Sequence, residues 1–271
     1  MTSIDIDSPP VPTRSAATRN VIAVASGKGG VGKTWFSVTL AHALAQAGRR
    51  TLLFDGDLGL ANVDVQLGLQ PHGDIAGVIS GETTLADAVT PFDGGASRNG
   101  FDIIAGRSGS DKLANLGPAK VVALRNELQT FARQYDWVVL DLGAGIDRTV
   151  RLMAANSRAC LVVTTDEPTA ITDAYAYIKI TAQERLPEGI RIVVNMASST
   201  EEGERTYATL LRACREFLKI EPPFAGLVHR DDQVKEAIRR QIPIMKRNPN
   251  SEAARDVDQI ARRLDRELRI W

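Results

Sequence analysis

From residue 21 onward, apolar positions follow two alternating patterns. Val21 to Ser26, Thr51 to Asp55, Phe101 to Ala105, Trp137 to Asp141, Ala159 to Thr165, Ile190 to Asn195 and Phe224 to Val228 are short, nearly continuous apolar runs, most of them bounded by Gly, Asp, Asn or Pro. Such runs predict strands buried on both faces, as in a parallel sheet. Between them, Trp35 to Ala47, Pro118 to Gln134, Ala170 to Arg185, Thr200 to Lys219, Gln233 to Arg240 and Ser251 to Trp271 read as helices. Val121, Val122, Leu124, Leu128 and Phe131 make one helical stripe opened by Pro118; Val257, Ile260, Leu264, Leu268 and Trp271 make another. Leu58 to Leu69 reads as a loop, Ile75 to Val89 as small helical pieces, and Pro91 to Gly100 as a polar, glycine-rich loop. Strand and helix in alternation predict an α/β fold: one doubly wound, mostly parallel sheet flanked by helices.

Composition narrows the setting. A chain of 271 residues fits a single domain, 21–271, after a Ser-, Thr- and Pro-rich leader, 1–20, expected to be disordered. The leader has no apolar core of a secretory signal, and no apolar run approaches the length of a membrane span. Cys160 and Cys214 are far apart without metal-ligand spacing and read as buried residues of a cytoplasmic protein. His229 has no His or Cys companion at ligand spacing, which argues against a metal role, and His42 and His72 read as structural or solvated. Lys plus Arg number 33, as do Asp plus Glu, so net charge gives no general reason to expect DNA binding.

The chemistry is concentrated in Gly27-Lys28-Gly29-Gly30-Val31-Gly32-Lys33-Thr34, which fits G-x-x-x-x-G-K-[ST] and lies between the first strand and the first helix. Its glycines let the backbone turn successive N–H groups onto phosphate oxygens, aided by the positive end of the helix. Lys33 is then expected on the β- and γ-phosphates and the Thr34 hydroxyl on Mg²⁺. Asp55 and Asp57 end the second strand at the same crevice. Asp141 ends another strand, as in a Walker B element that supports Mg²⁺, with Gly143 and Gly145 after it in a segment suited to a γ-phosphate switch. Asn195, at a third strand end, carries an amide that can pair with an adenine edge or cap the next turn.

The string from Lys28 to Thr34 resembles the deviant phosphate loop of the MinD/ParA family of dimeric ATPases, and the likeness extends over nearly all of residues 20 to 268. It implies a P-loop NTPase fold of the SIMIBI class, ATP and Mg²⁺ as ligands, and an ATP-bound homodimer in which Lys28 reaches the partner's nucleotide. Asp55, Asp57, Gly59, Asn62 and Asp64 match the family's switch I pattern, so Asp57 takes the role of orienting the attacking water and touching the Mg²⁺ shell. The family also implies Asn195 on the base and the turn with Arg230 near base or ribose. Asp57 to Asp64 and Thr164 to Lys179 look like the flagellar FlhG/FleN branch, which implies a flagellar assembly protein or regulator as partner. MinD relatives use a terminal amphipathic helix on membranes, so residues 251–271 are expected either to pack in the core or to meet the inner membrane or a cell pole; five Arg balanced by five acidic residues favour the core. Several positions depart from the pattern. Trp35 replaces a second hydroxyl, leaving its backbone N–H for the α-phosphate; Leu142 replaces a small hydroxyl residue, Asp166 a proline and Met196 an arginine; and residues 1–20 lack the D-Q-A-x-x-L-R segment tied to GTPase stimulation. A DNA-partitioning ATPase and an ATP-dependent ligase are the competing classes.

Overall fold

The computed structural model describes residues 18–96, 99–106, 116–183 and 189–268. The leader as far as residue 17, the end of the helix expected to reach Arg185, and Trp271 lie outside the described residues. Eight strands form one sheet: β1 (Thr18–Ser26), β2 (Thr51–Gly56), β3 (Thr90–Phe92), β4 (Phe101–Ile104), β5 (Trp137–Ala144), β6 (Ser157–Thr164), β7 (Ile190–Ala197) and β8 (Phe224–His229). Their order is β3-β4-β2-β5-β1-β6-β7-β8, and β3 alone runs antiparallel, on β4 at the edge. The doubly wound expectation holds. The short β3 lies where a loop is expected, because Pro91 is tolerated on an edge strand that pairs on one side only.

The helices are α1 (Lys33–Gln46), α2 (Val63–Leu67), α3 (Ile75–Ser80), α4 (Pro118–Phe131), α5 (Arg148–Ala154), α6 (Pro168–Gln183), α7 (Thr200–Ala213), α8 (Asp232–Arg239), α9 (Ile244–Arg247) and α10 (Glu252–Leu268). Side chains of the strands alternate between two cores. Ile22, Val24, Val139, Leu161 and Val163 face α1 and α10; Val21, Ala23, Val138, Leu140 and Val162 face the side of α3 to α7. Both faces are therefore covered, which is why these runs carry almost no polar residues.

Helix α1 is buried along nearly its whole length, its polar residues Ser37, Thr39 and His42 included. The sheet covers one side and α10 the other, through Val257, Ile260, Ala261, Leu264 and Leu268. Asp265 fixes this packing, accepting from Trp137 Nε1 at 2.8 Å and from Arg49 Nη2 at 2.6 Å. The apolar stripe of 252–268 is thus used within the core and is not available to a membrane surface. No helix among the described residues is long and apolar enough to cross a membrane.

Candidate nucleotide site

Residues 27–32 join β1 to α1 at the carboxyl end of the sheet, where β1 lies between β5 and β6. Gly30 and Gly32 have φ of +83° and +81°, a region that L side chains enter at a cost. A Cβ on Gly32 would overlap the Asn195 amide, and one on Gly27 would overlap the Asp173 carbonyl of α6. The N-terminus of α1 has no side-chain cap and no acidic residue in its first turn, so its first N–H groups remain for an anion. This backbone cradle fits a phosphate chain.

Below the loop, β2 and β5 place Asp55 and Asp141 opposite each other in register. Lys33 is buried and donates to Asp141 Oδ1 at 2.9 Å, and Ser37 Oγ donates to the same oxygen at 2.8 Å. Asp141 Oδ2 is buried with no partner among the described residues. Asp55 accepts from the backbone N–H groups of Asp57, Asn62 and Val63, which ties the loop after β2 to the strand's end. Burial, and then the Asp141 charge beside it, push the Asp55 carboxyl up to about 7. Asp57 is half-buried and accepts from the N–H groups of Gly59 and Leu60. It shares an open cavity of about 580 Å³ with Gly143, Asp147 and Arg148. Thr34 on the first turn of α1 and the orphaned Asp141 oxygen are oxygen donors of the kind a hard divalent cation takes.

Lys28 stands at the rim. Its Nζ donates to Glu167 Oε2 at 2.8 Å and to Thr169 Oγ1 at 2.9 Å, at the start of α6. The Lys28 ammonium in turn holds the Glu167 carboxyl below the usual carboxylate range. A cavity of about 320 Å³ separates Gly29 and Gly30 from Asp166, Glu167 and Arg230.

On the far side of the loop, Asn195 is buried and donates from Nδ2 to the Val31 carbonyl at 2.8 Å. It braces the loop; Ser199 is the residue that caps α7. Met196 follows with φ +58°, interrupting the pairing of β7 with β8. Arg230 is exposed, and its backbone N–H bonds to Ala197. A cavity of about 300 Å³ is lined by Gly32, Trp35, Asn195, His229, Arg230 and Ile238, among others. His229 Nδ1 lies 2.8 Å from Asp256 Oδ2 and Nε2 lies 3.2 Å from Thr200 Oγ1, a structural use in keeping with its lack of metal-ligand companions.

Gly27, Lys28, Gly29, Gly30, Val31, Gly32, Lys33, Thr34, Trp35, Asp57, Asp141 and Gly143 therefore gather at the ends of β1, β2 and β5, with Asn195 and Arg230 at the ends of β7 and β8. The sequence reading missed Ser37, Glu167 and Thr169. Ser37 was signalled by its spacing, one turn beyond Lys33 on the same helix face.

A family profile, the CobQ/CobB/MinD/ParA nucleotide binding domain, matches residues 22–244. The antiactivator FleN of Pseudomonas aeruginosa is 38% identical over 245 residues, covering 90% of this chain and 86% of FleN. The flagellum site-determining protein YlxH of Helicobacter pylori is 32% identical over 241 residues, covering 89% of this chain and 80% of YlxH. In fold, the chain is similar to the septum site-determining protein MinD of Pyrococcus horikoshii in complex with Mg-ADP, with a TM-score of 0.76, 24% identity, and 91% and 96% of the two chains covered. The chain therefore belongs to the MinD/ParA family of P-loop nucleotide-binding proteins, and within it is similar to the FleN type.

Proposed function

We propose that the chain is an ATPase switch that dimerises on ATP, loosens on hydrolysis, and governs flagellar number or placement in the cytoplasm. The observation that carries the switch reading is the presence of two lysines on one loop with different surroundings. Lys33 is buried on Asp141, whereas Lys28 is at the rim, 37% exposed and held, among the described residues, by Glu167 and Thr169. A single phosphate-binding lysine suffices for binding; a second one at the rim suits a nucleotide held by another subunit. Likeness to FleN and YlxH over most of their length supports the flagellar setting and a flagellar assembly protein or regulator as partner.

In this reading Lys33 would exchange Asp141 for the β- and γ-phosphates, and Thr34, Asp57 and Asp141 would hold the metal. Mg²⁺, when bound, neutralises charge on the phosphates. Asp57 orients the water, the backbone at Gly143 senses the γ-phosphate, and Asn195 and Arg230 serve the nucleoside. Turnover is slow and depends on the dimer, because Lys28 completes the opposite site. With the α10 stripe in the core, contact with the inner membrane or a pole would come through a partner or through residues beyond 268.

Lys28→Ala tests the switch. The expected result is retained ATP binding with loss of the ATP-dependent dimer by light scattering and at least tenfold slower hydrolysis. A variant that dimerises and hydrolyses normally refutes the proposal. For the setting, deleting the gene is expected to change the number or position of flagella per cell.

A further inference from the structure

Asp166 stands where the family resemblance leads to a proline, and its side chain has no role in the reading above. It is half-buried in the short link between β6 and α6. With Lys28, Glu167 and Arg230 it supplies the charged side chains around the cavity of about 320 Å³ that faces Gly29 and Gly30. Lys28 and Glu167 are bound to each other. Asp166 and Arg230 bear opposite charges on the same cavity, yet no ion pair joins them among the described residues. Asp166 also meets Glu202, whose carboxyl is held below the usual carboxylate range by the Ser198 hydroxyl and N–H and, to a lesser degree, by Asp166. A carboxyl has two oxygens, so this contact leaves Asp166 one for a further donor. Met196 and Arg230 line both this cavity and the one of about 300 Å³ beside Asn195, so the two adjoin. The second cavity has apolar walls in Trp35, Val228, Val234 and Ile238; its cations are Arg230 and Lys235, the latter 3.9 Å from Asp232.

We propose that the Asp166 carboxylate accepts a hydrogen bond from a ribose hydroxyl of the bound nucleoside triphosphate and makes the site prefer ribose to deoxyribose. This rests on the nucleotide-binding reading of the site. A nucleotide runs from base through sugar to phosphates, so its sugar belongs where an apolar cavity, a charged cavity and the phosphate loop adjoin. The apolar walls suit a flat base, and the charged walls suit a hydroxylated group. A hydroxyl donates and accepts at once, so it can bridge a carboxylate and a guanidinium that form no pair of their own: Asp166 accepts from it and Arg230 donates to it. Lys28 and Lys235 are donors only and cannot take the place of Asp166. Glu167, the other acceptor on this wall, is already held by Lys28. A strand-end carboxylate on a ribose hydroxyl is chemistry that other doubly wound folds use.

Calorimetry with ATP, 2′-deoxyATP and 3′-deoxyATP, each with Mg²⁺, reads the contact. The unmodified protein is expected to bind ATP about tenfold more tightly than at least one of the two analogues, the size of one hydrogen bond to a charged group. Asp166→Ala removes the acceptor and is expected to bind ATP about tenfold more weakly while treating that analogue and ATP alike. Asp166→Asn keeps the shape and a neutral acceptor, and its preference for ATP is expected to fall to about threefold. Equal affinity of the unmodified protein for all three nucleotides overturns the proposal. So does an Asp166→Ala protein that retains the full preference, or one weakened equally toward all three. Should Asp166→Ala not fold, an undiminished preference in Asp166→Asn overturns it in the same way. If the unmodified protein binds none of the three, the nucleotide reading falls as well; if it binds them all equally, only the role of Asp166 falls.

Discussion

Gly32 has no room for a methyl group, since its φ of +81° and the neighbouring Asn195 amide both exclude one. Gly32→Ala is expected to abolish detectable nucleotide binding by calorimetry while costing the fold only about 1–3 kcal/mol, read from a denaturant melt. His42 illustrates a different residue-scale effect. It is buried against the rings of Phe92 and Phe101, its Nδ1 has no partner among the described residues, and burial lowers its pKa from 6.5. Below that pH the unfolded chain takes up a proton that the folded chain resists. The stability His42 supports is therefore present above pH 6.5 and lost as pH falls. His42→Phe is expected to lose less stability between pH 7.5 and pH 5 than the unmodified protein, checked by melts at roughly those values. Lys33, Asp57 and Asp141 were readable because each sits at a fixed offset from a strand end. Glu167 was not, because its contact with Lys28 joins residues far apart in the chain.

Among the elements, the stripe on α10 reads alike in sequence whether it packs on a membrane or on a core. The signal that separates the two lies on another helix. Apart from Ser37, Thr39 and His42, Trp35 to Ala45 is apolar, so once a sheet covers one flank of α1, the other flank needs a cover as well. Leu264→Ala is accordingly expected to cost about 2–5 kcal/mol by denaturant melt, and a negligible cost would mean the helix detaches from the core. Element boundaries and types were largely readable from periodicity. The losses are β3, three residues containing a proline, and the short helices α2, α5 and α9, each too short to show a clear period.

At the scale of the whole molecule, the parallel sheet brings residues from five strand ends to one crevice. The fold class follows from the strand and helix alternation, but the register does not. Nothing local sets Asp55 opposite Asp141, because that depends on how β2 and β5 slide past each other as the sheet closes. Equal numbers of basic and acidic residues leave the molecule without a net positive field. With ATP, the protein is expected to show no retention on nonspecific DNA at physiological salt. ATP-dependent retention that falls steeply with salt would instead favour a partitioning ATPase.

Only a hydrogen atom separates Gly27 from the Asp173 carbonyl of α6, and the first turn of that helix also holds Lys28 through Thr169. In mechanical terms this is a linkage without slack. The outer flank of α6 is thus one helix away from the start of the loop and its first lysine. A contact on α6 therefore lies next to the phosphate loop without entering the crevice.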